Sequence, residues 1–116
     1  MRADLSGSFL RRATLADATL DETTVVGADL REAVLRNVSL RRADLSEATL
    51  REAILDGADL TGTDLTDADL RGASLDDVTL WRATVADADL RDTVLAGLDA
   101  QTLPVRDEAG YVETHR

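Results

Sequence analysis

Paired carboxylates are the residues of this sequence whose type and spacing come nearest to a chemical site. The segment TDLTDADL holds Asp64, Asp67 and Asp69, and Asp87 and Asp89 follow the last two at a spacing of twenty residues. Such oxygens could bind a divalent cation, but the sequence contains neither an EF-hand loop nor a glycine-rich calcium repeat. We therefore expect no metal site.

Residues suited to catalysis are scarce. The single histidine, His115, lies beside the end of a polar tail, and the chain has no cysteine. Neither a G-x-S-x-G motif nor a phosphate-binding glycine loop is present. We expect a protein that is not an enzyme and that binds no cofactor.

A hydrophobic period of five residues dominates the chain. Leucine occupies 17 of the 19 positions reached in steps of five from 5 to 95, valine occupies the other two, and mostly small residues lie two positions earlier. A step of five turns a helix by roughly 140° and sends strand side chains to opposite faces, so neither element buries this column. A backbone that turns a corner every five residues does bury it, which predicts a solenoid.

The length of one coil follows from residues that recur in register. Arginine recurs at a spacing of twenty, whereas a spacing of fifteen from the same start gives a mixed set; the arginine column is Arg11, Arg31, Arg51, Arg71 and Arg91. We therefore predict an all-β fold, a parallel β-helix in which each coil has four corners and repeats at this spacing of twenty. About five coils span residues 3–102, with a height of roughly 24 Å.

The two ends of the repeat differ. The period breaks at Ala100, and we expect residues 103–116 to form a capping segment or a flexible tail. The apolar residues expected to fold beneath the last coil are Leu98, Leu103, Val105, Tyr111 and Val112. No capping segment precedes Ala3, so we expect either that two N-terminal ends pair or that the chain is truncated.

The acidic charge lies at one end of the chain. The net charge is -10, with eight arginines and eight acids in residues 1–51 and five arginines and fifteen acids in residues 52–116. This balance argues against direct binding to nucleic acid or to anionic membranes. No apolar run is long enough for a signal peptide or a membrane span, so we expect a cytoplasmic protein.

Five units carry a family resemblance: ADLSG, ADLRE, ADLSE, ADLTG and ADLRG. They resemble the repeats of the pentapeptide-repeat proteins, over about residues 3 to 102. The resemblance implies a right-handed quadrilateral β-helix. It also implies a function, because the best-understood members resemble B-form DNA in shape and charge. Those members bind DNA gyrase, which gives resistance to quinolones or to a producer's own topoisomerase poison.

Two departures from those members qualify this expectation. The chain is shorter, and it lacks the C-terminal helical segment through which such proteins usually dimerise. One short rod would cover little of a DNA-binding saddle, so mimicry would require a homodimer.

The acidic surface has two interpretations. Residues 52–102 carry a net charge of -9, and roughly 12 Å of rod would hold them, where a DNA duplex carries about 7 charges. The candidate partner-binding acids are Asp56, Asp59, Asp64, Asp67, Asp69, Asp76, Asp77, Asp87, Asp89 and Asp92. The alternative is that outward positions of a solenoid must be polar and that acids prevent edge-to-edge aggregation.

Two further surfaces are candidates for contact. The arginine column is interpreted as a charge-balanced ladder, with a site for an acidic partner as the alternative, at Arg31, Arg36, Arg41, Arg42 and Arg51. A β-branched stripe comprises Thr14, Val34, Ile54, Ser74 and Val94. It reflects either strand propensity or a contact surface, to which Phe9 and Trp81 could add.

The sequence thus predicts a non-enzymatic protein-binding module, with a DNA-mimicking modulator of a type II topoisomerase as the sharper hypothesis. The competing hypothesis is a structural or scaffold module that offers its flat faces to another protein.

Overall fold

A computed structural model describes residues 3–94 of the chain and the backbone of the strand Val112–Glu113. Parallel β-bridges join each outward residue that precedes a leucine or valine of the core to the residue twenty positions later. The predicted coil, with four corners and a repeat of twenty, is therefore confirmed. The four stacks of bridged residues define four faces. Face A holds Asp4, Thr24, Asp44, Asp64 and Thr84; face B holds Phe9, Asp29, Thr49, Asp69 and Asp89; face C holds Thr14, Val34, Ile54, Ser74 and Val94; face D holds Thr19, Ser39, Asp59 and Thr79.

Regular strands are short because each face contributes only one residue per coil to the ladder. The described part of the chain contains two, β1 (Thr93–Val94) and β2 (Val112–Glu113). They pair in parallel, with Thr93 opposite Val112 and Val94 opposite Glu113. Face C therefore continues into the C-terminal segment. The paired residues of β1 and β2 are 19 positions apart, one fewer than the 20 positions between bridged residues of the preceding coils. Leu98, Leu103, Val105 and Tyr111 lie outside the described residues, and the boundary at 102/103 stays a prediction.

Every corner has the same backbone conformation. The residue two positions after each core leucine or valine has a positive φ, from Gly7 at 70° to Asp92 at 63°. The next residue donates its N–H to the carbonyl of that leucine, as Ser8 does to Leu5 at 3.1 Å. This combination is typical of a type II turn. Gly, Asp and Asn, which tolerate the left-handed region best, hold eleven of these eighteen positions.

Hydrogen bonds between coils use three of every five backbone N–H groups. Leu35 donates to Ile54 at 2.7 Å, Asn37 donates to Asp56 at 2.9 Å, and Ile54 donates back to Ala33 at 3.0 Å. The turn bond satisfies a fourth N–H. One N–H per corner is left, on the residue directly after the leucine, and it needs a partner from a side chain or from water.

The core is a narrow column on the axis of the coils. The leucines and small residues from Val25 to Leu90 are buried, and all members between Leu35 and Leu75 are at most 2% exposed. Thr63, the polar member of this stretch, donates its hydroxyl to the carbonyl of Leu40 at 2.6 Å. The leucines of the first coil are only partly buried. Within residues 3–94, no helix is long and apolar enough to cross a membrane.

Candidate protein-interaction surface

Many of the core leucines are preceded by an aspartate whose side chain bonds to the following turn. Its Oδ1 accepts a hydrogen bond from the backbone N–H of the residue two positions later, the one N–H that the bonds between coils and the turn bond do not use, at 2.9–3.2 Å. This is the Asx-turn arrangement, in which an aspartate supplies an acceptor to the backbone of a turn. The seven aspartates that do so are Asp4, Asp29, Asp44, Asp59, Asp64, Asp69 and Asp89. The A-D-L unit is therefore a self-capping corner.

Several of the ten candidate acids accept hydrogen bonds within the fold. Asp59, Asp64, Asp69 and Asp89 cap corners. Asp56 accepts hydrogen bonds from the Ser74 hydroxyl at 2.6 Å and from the backbone of the coil below. The first role of these carboxylates is therefore structural.

Four other candidate acids occupy left-handed corner positions and are exposed: Asp67, Asp77, Asp87 and Asp92. Their backbone conformation places them outward, where their side chains make no contribution to the turn bond. Asp76 lies beside Asp77 and is half-buried. All of the acids from Asp56 to Asp92 are distributed around the four sides of the rod, so the structure does not bring them together on one face.

The arginine column is a partial ladder of ion pairs. Arg31, Arg71 and Arg91 each hold the aspartate two residues earlier with two parallel bonds, with Nε–Oδ1 distances of 2.9 Å and Nη2–Oδ2 distances of 2.6–2.8 Å. Bidentate pairs of this kind are the strongest side-chain contacts to a carboxylate. The predicted charge balance is thus confirmed for these three arginines.

Arg11 and Arg51 lack this partner because Phe9 and Thr49 occupy the position that aspartate fills in the other coils. Among the described residues, Arg51 has no ion pair within 4.0 Å. It lines two shallow depressions on the surface, one with Thr49 and Arg31 and the other with Glu32 and Glu52.

The ladder lowers the pKa of its carboxyl groups. Side-chain hydrogen bonds from Arg31, followed by its backbone N–H, lower the pKa of Asp29 from 3.8 to about 2. The pKa values of Asp69 and Asp89 are also lowered, chiefly by the side-chain hydrogen bonds from Arg71 and Arg91. These groups therefore stay ionised in acid solution, where ordinary carboxylates begin to take up protons.

The predicted β-branched stripe lies on face C, where Val34, Ile54 and Val94 are half-buried. The two aromatic residues lie elsewhere. Phe9 is on face B and 90% exposed, whereas Trp81 is 53% exposed at the corner between faces D and A. The Arg82 guanidinium lies 5.9 Å from the centre of the Trp81 ring. Phe9 thus lies on the face next to the stripe and Trp81 points outward, as the five-residue register predicts, and their part in a contact surface stays a prediction.

No cluster of three or more possible metal ligands is found within the part of the chain that the structure describes. Asp67 and Asp69 do stack on Asp87 and Asp89, as the spacing of twenty predicts, but Asp69 and Asp89 are directed to their arginines.

The family model and the similar solved structures point to the same protein family. The family model described as "Pentapeptide repeats" matches in eight copies, over residues 1–37, 33–72 and 43–82. A pentapeptide repeat protein from the thylakoid lumen of Arabidopsis thaliana is 32% identical, with a TM-score of 0.77, covering 91% of this chain and 67% of that one. A search of curated protein sequences found no match.

Two further solved structures are similar. HetL, a pentapeptide repeat protein involved in the regulation of heterocyst differentiation in Nostoc sp. strain PCC 7120, is 34% identical with a TM-score of 0.52; 78% of this chain covers 40% of HetL. Trypsin-treated QnrB1, a plasmid-mediated fluoroquinolone resistance protein, is 16% identical with a TM-score of 0.55, covering 95% of this chain and 67% of that one. At this identity the likeness to QnrB1 shows the fold alone.

Proposed function

Since this chain belongs to the pentapeptide repeat family, we propose that it is a non-enzymatic protein-binding module and, more specifically, a DNA-mimicking modulator of DNA gyrase or another type II topoisomerase. Its solenoid is taken to be the right-handed quadrilateral β-helix of the family. The observation that carries the proposal is the concentration of acidic charge in residues 52–94.

The charge density of this region matches that of a duplex. Residues 52–94 hold eleven acids and three arginines, a net charge of -8. These residues make about two coils, or roughly 10 Å of rod, and duplex DNA carries about 6 charges in that length. A protein surface that recognises the phosphate charge of DNA would therefore experience a similar electrostatic field near this region.

The arrangement of the charges supports the same proposal. The acids surround the rod, as phosphates surround a duplex. A fluoroquinolone resistance protein has the same fold. The proposed role requires a cytoplasmic protein, since gyrase acts on the chromosome, and a homodimer to lengthen or widen the acidic surface.

A gyrase supercoiling assay tests the proposal, with the purified protein titrated in and with and without a quinolone. The variant is Asp64→Asn/Asp77→Asn, and the matched control is Asp44→Asn/Asp17→Asn. Asp44 and Asp64 cap equivalent corners of face A, and Asp17 and Asp77 share one corner column. Asparagine keeps the cap acceptor and tolerates a left-handed backbone.

We expect wild type and the control to inhibit supercoiling or to protect gyrase from the quinolone. The Asp64→Asn/Asp77→Asn variant should reach the same effect only at about tenfold higher protein concentration. No effect of wild type at micromolar concentration, or equal effects of the two double variants, would overturn the topoisomerase proposal.

A scaffold role is the second candidate, and face C favours it. Val34 and Ile54 stack there as half-buried apolar residues between two corners, a surface suited to a flat protein partner. Affinity purification with wild type and with Ile54→Lys tests it. Partners lost only with Ile54→Lys, in a protein without effect on gyrase, would support the scaffold; identical partner sets would contradict it.

A further inference from the structure

Face B carries opposite charges along its two edges. Each coil crosses the face from a left-handed corner position, through the bridged residue, to a member of the arginine column. The entry edge comprises Gly7, Gly27, Glu47, Asp67 and Asp87, and the exit edge comprises Arg11, Arg31, Arg51, Arg71 and Arg91. Three acids therefore run parallel to five arginines across a narrow strip.

We propose that face B binds face B of a second copy, with the two rods parallel and related by a twofold axis along the rod. This operation keeps each coil at its own height and exchanges the two edges. Glu47 then lies opposite Arg51 of the second copy, and Asp67 lies opposite the second copy's Arg71. The lowest coil pairs Asp87 with Arg91 of the second copy in the same way. Because the interface is symmetric, each of these pairs forms twice.

Charge complementarity selects this orientation. If the twofold axis crossed the rods instead, the rods would be antiparallel and each edge would face its own kind, arginine against arginine and acid against acid. Like charges that face each other across an interface repel and suppress the wrong arrangement. Only the parallel arrangement makes the two edges of face B complementary. The midline residues Asp29, Asp69 and Asp89 then meet their own copies, and each is paired with an arginine of its own chain.

The third coil is where the pairing adds most. Arg51 has no aspartate two residues earlier, and Glu47 likewise has no ion pair among residues 3–94. The small residue Thr49 lies between them on the face. In the dimer, each of these charges gains an opposite charge, and no bond within the chain has to break. Arg71 and Arg91 would instead share their guanidinium groups with a second carboxylate.

The upper end of the same face contributes an apolar contact. Phe9 is 90% exposed at the centre of face B, and the twofold axis brings it against Phe9 of the second copy. Gly7 lies at the entry edge beside it and adds no side chain. Aromatic residues are among those that commonly supply much of the affinity when an interface buries them, so Phe9 should add to the charge pairs although it lies near the end of the rod.

The size of the face predicts a weak dimer. Face B crosses four residue steps, at most about 14 Å, and the described coils are about 22 Å tall, so the flat face covers roughly 300 Å² per copy before its edge side chains are counted. This is small for a specific complex. We expect a dissociation constant in the micromolar range that rises with salt. Asp64 and Asp77 stay outside this interface, so the dimer does not depend on the topoisomerase proposal.

Sedimentation equilibrium on the full chain tests the pairing with Glu47→Arg and Arg51→Glu. Each variant should weaken the dimer at least about tenfold, because each places like charges opposite each other twice. An equimolar mixture of the two variants should form a heterodimer with affinity near wild type, since both pairs between positions 47 and 51 are then opposite in charge. Arginine already occupies the same corner conformation at Arg12 and Arg42, so the Glu47→Arg variant should fold.

Variants that failed to fold could not regain dimer affinity when mixed. The mixture therefore distinguishes a loss of pairing from a loss of stability. A wild-type chain that stays monomeric at high protein concentration and low salt would overturn the proposal. Unchanged dimerisation of the single variants, or no recovery in the mixture, would overturn it as well.

Crosslinking gives a second measurement, because the chain has no cysteine. Thr49→Cys places a thiol beside the twofold axis, and a bismaleimide that spans about 10 Å reaches between two packed sheets. Ser39→Cys, at the matching position of face D, is the control. We expect crosslinked dimer at residue 49 alone; equal crosslinking at both positions, or none at 49, would contradict the face B dimer.

Discussion

The two halves of the rod share one backbone and differ in their surfaces. Residues 3–51 and residues 52–94 have the same leucine column, the same left-handed corners and the same bonds between coils. The first half carries seven arginines and eight acids, and the second carries three arginines and eleven acids. The fold therefore depends on the two inward columns and the corner, and the outward positions can change charge without changing the coil.

The halves also differ in how their acids are neutralised. In the first half, Glu22, Asp29 and Glu32 each lie within 3.4 Å of an arginine. In the second half, Arg71 and Arg91 pair with the face B aspartates, whereas Asp56 and Asp59 pair at 3.8 Å with Arg36 and Arg41 of the first half. The exposed corner acids Asp67, Asp77 and Asp87 have no ion pair among the described residues. The second half therefore takes part of its charge balance from the first and still keeps the larger excess of acids.

The largest expected effect tests whether the cores of the two halves are equivalent. Leu35→Ala and Leu70→Ala remove side chains that are both 1% exposed. Each should lower the free energy of unfolding by about 3–5 kcal/mol, because a rigid stack cannot collapse into the cavity. Urea unfolding followed by circular dichroism measures both. Costs that differ by more than about 1 kcal/mol would show that the surface charge of the second half also affects its core.

A smaller effect compares one corner column across the two halves. Glu47→Gly and Asp67→Gly relieve a left-handed backbone at φ 61° and 60°, and each should stabilise the protein by about 0.5–1 kcal/mol after the entropy cost of glycine. Glutamate tolerates this backbone less well than aspartate, so Glu47→Gly should gain more at high salt.

At low salt, the difference in stabilisation between the two variants should become smaller or change sign, because Asp67→Gly also removes a negative charge from the acidic half. Thermal unfolding of dilute protein at two salt concentrations measures this. A salt-independent difference would contradict the repulsion that the second half is expected to carry.

The smallest effect is a shared dependence on acid. The pKa of Asp29 is about 2 in the fold, below its ordinary value of 3.8, so its contribution to stability is complete above pH 4 and is lost as the pH falls through 2. Wild type should lose more stability than Asp29→Asn between pH 5 and pH 2.

Asp69→Asn should behave in the same way, since Arg71 lowers the pKa of Asp69 by an equivalent bond. Thermal midpoints across this pH range measure both variants. Parallel curves for wild type and Asp29→Asn would contradict the role of the Arg31 pair.

The coil could be predicted from the sequence because two columns repeat without interruption. The leucine period excludes helix and flat sheet, and the spacing of the arginine column gives the length of one coil. The stacking of Val34 on Ile54 follows from the same spacing. These features depend only on which residues recur, so pattern alone predicts them.

The role of the aspartates could not be predicted in this way. In the sequence, Asp64 and Asp67 look like equivalent outward acids. In the structure, Asp64 caps a corner, whereas Asp67 lies at a corner position with a left-handed backbone. The difference depends on which N–H the coil leaves without a partner, and only the register of the bonds between coils shows this. A signal was present, because all five glycines of residues 3–94 lie two positions after a core leucine or valine.

The regular hydrogen bonds between coils also bear on how the chain folds. Almost every bond that joins two coils links residues 19 or 21 positions apart, whichever coil is considered. The entropy lost in closing each new loop is therefore the same for the second coil as for the last, and it does not grow with the length of the rod. Once one pair of coils has formed, addition of the next is a local step, so the folding time of such a chain should depend on its first closure rather than on its number of repeats.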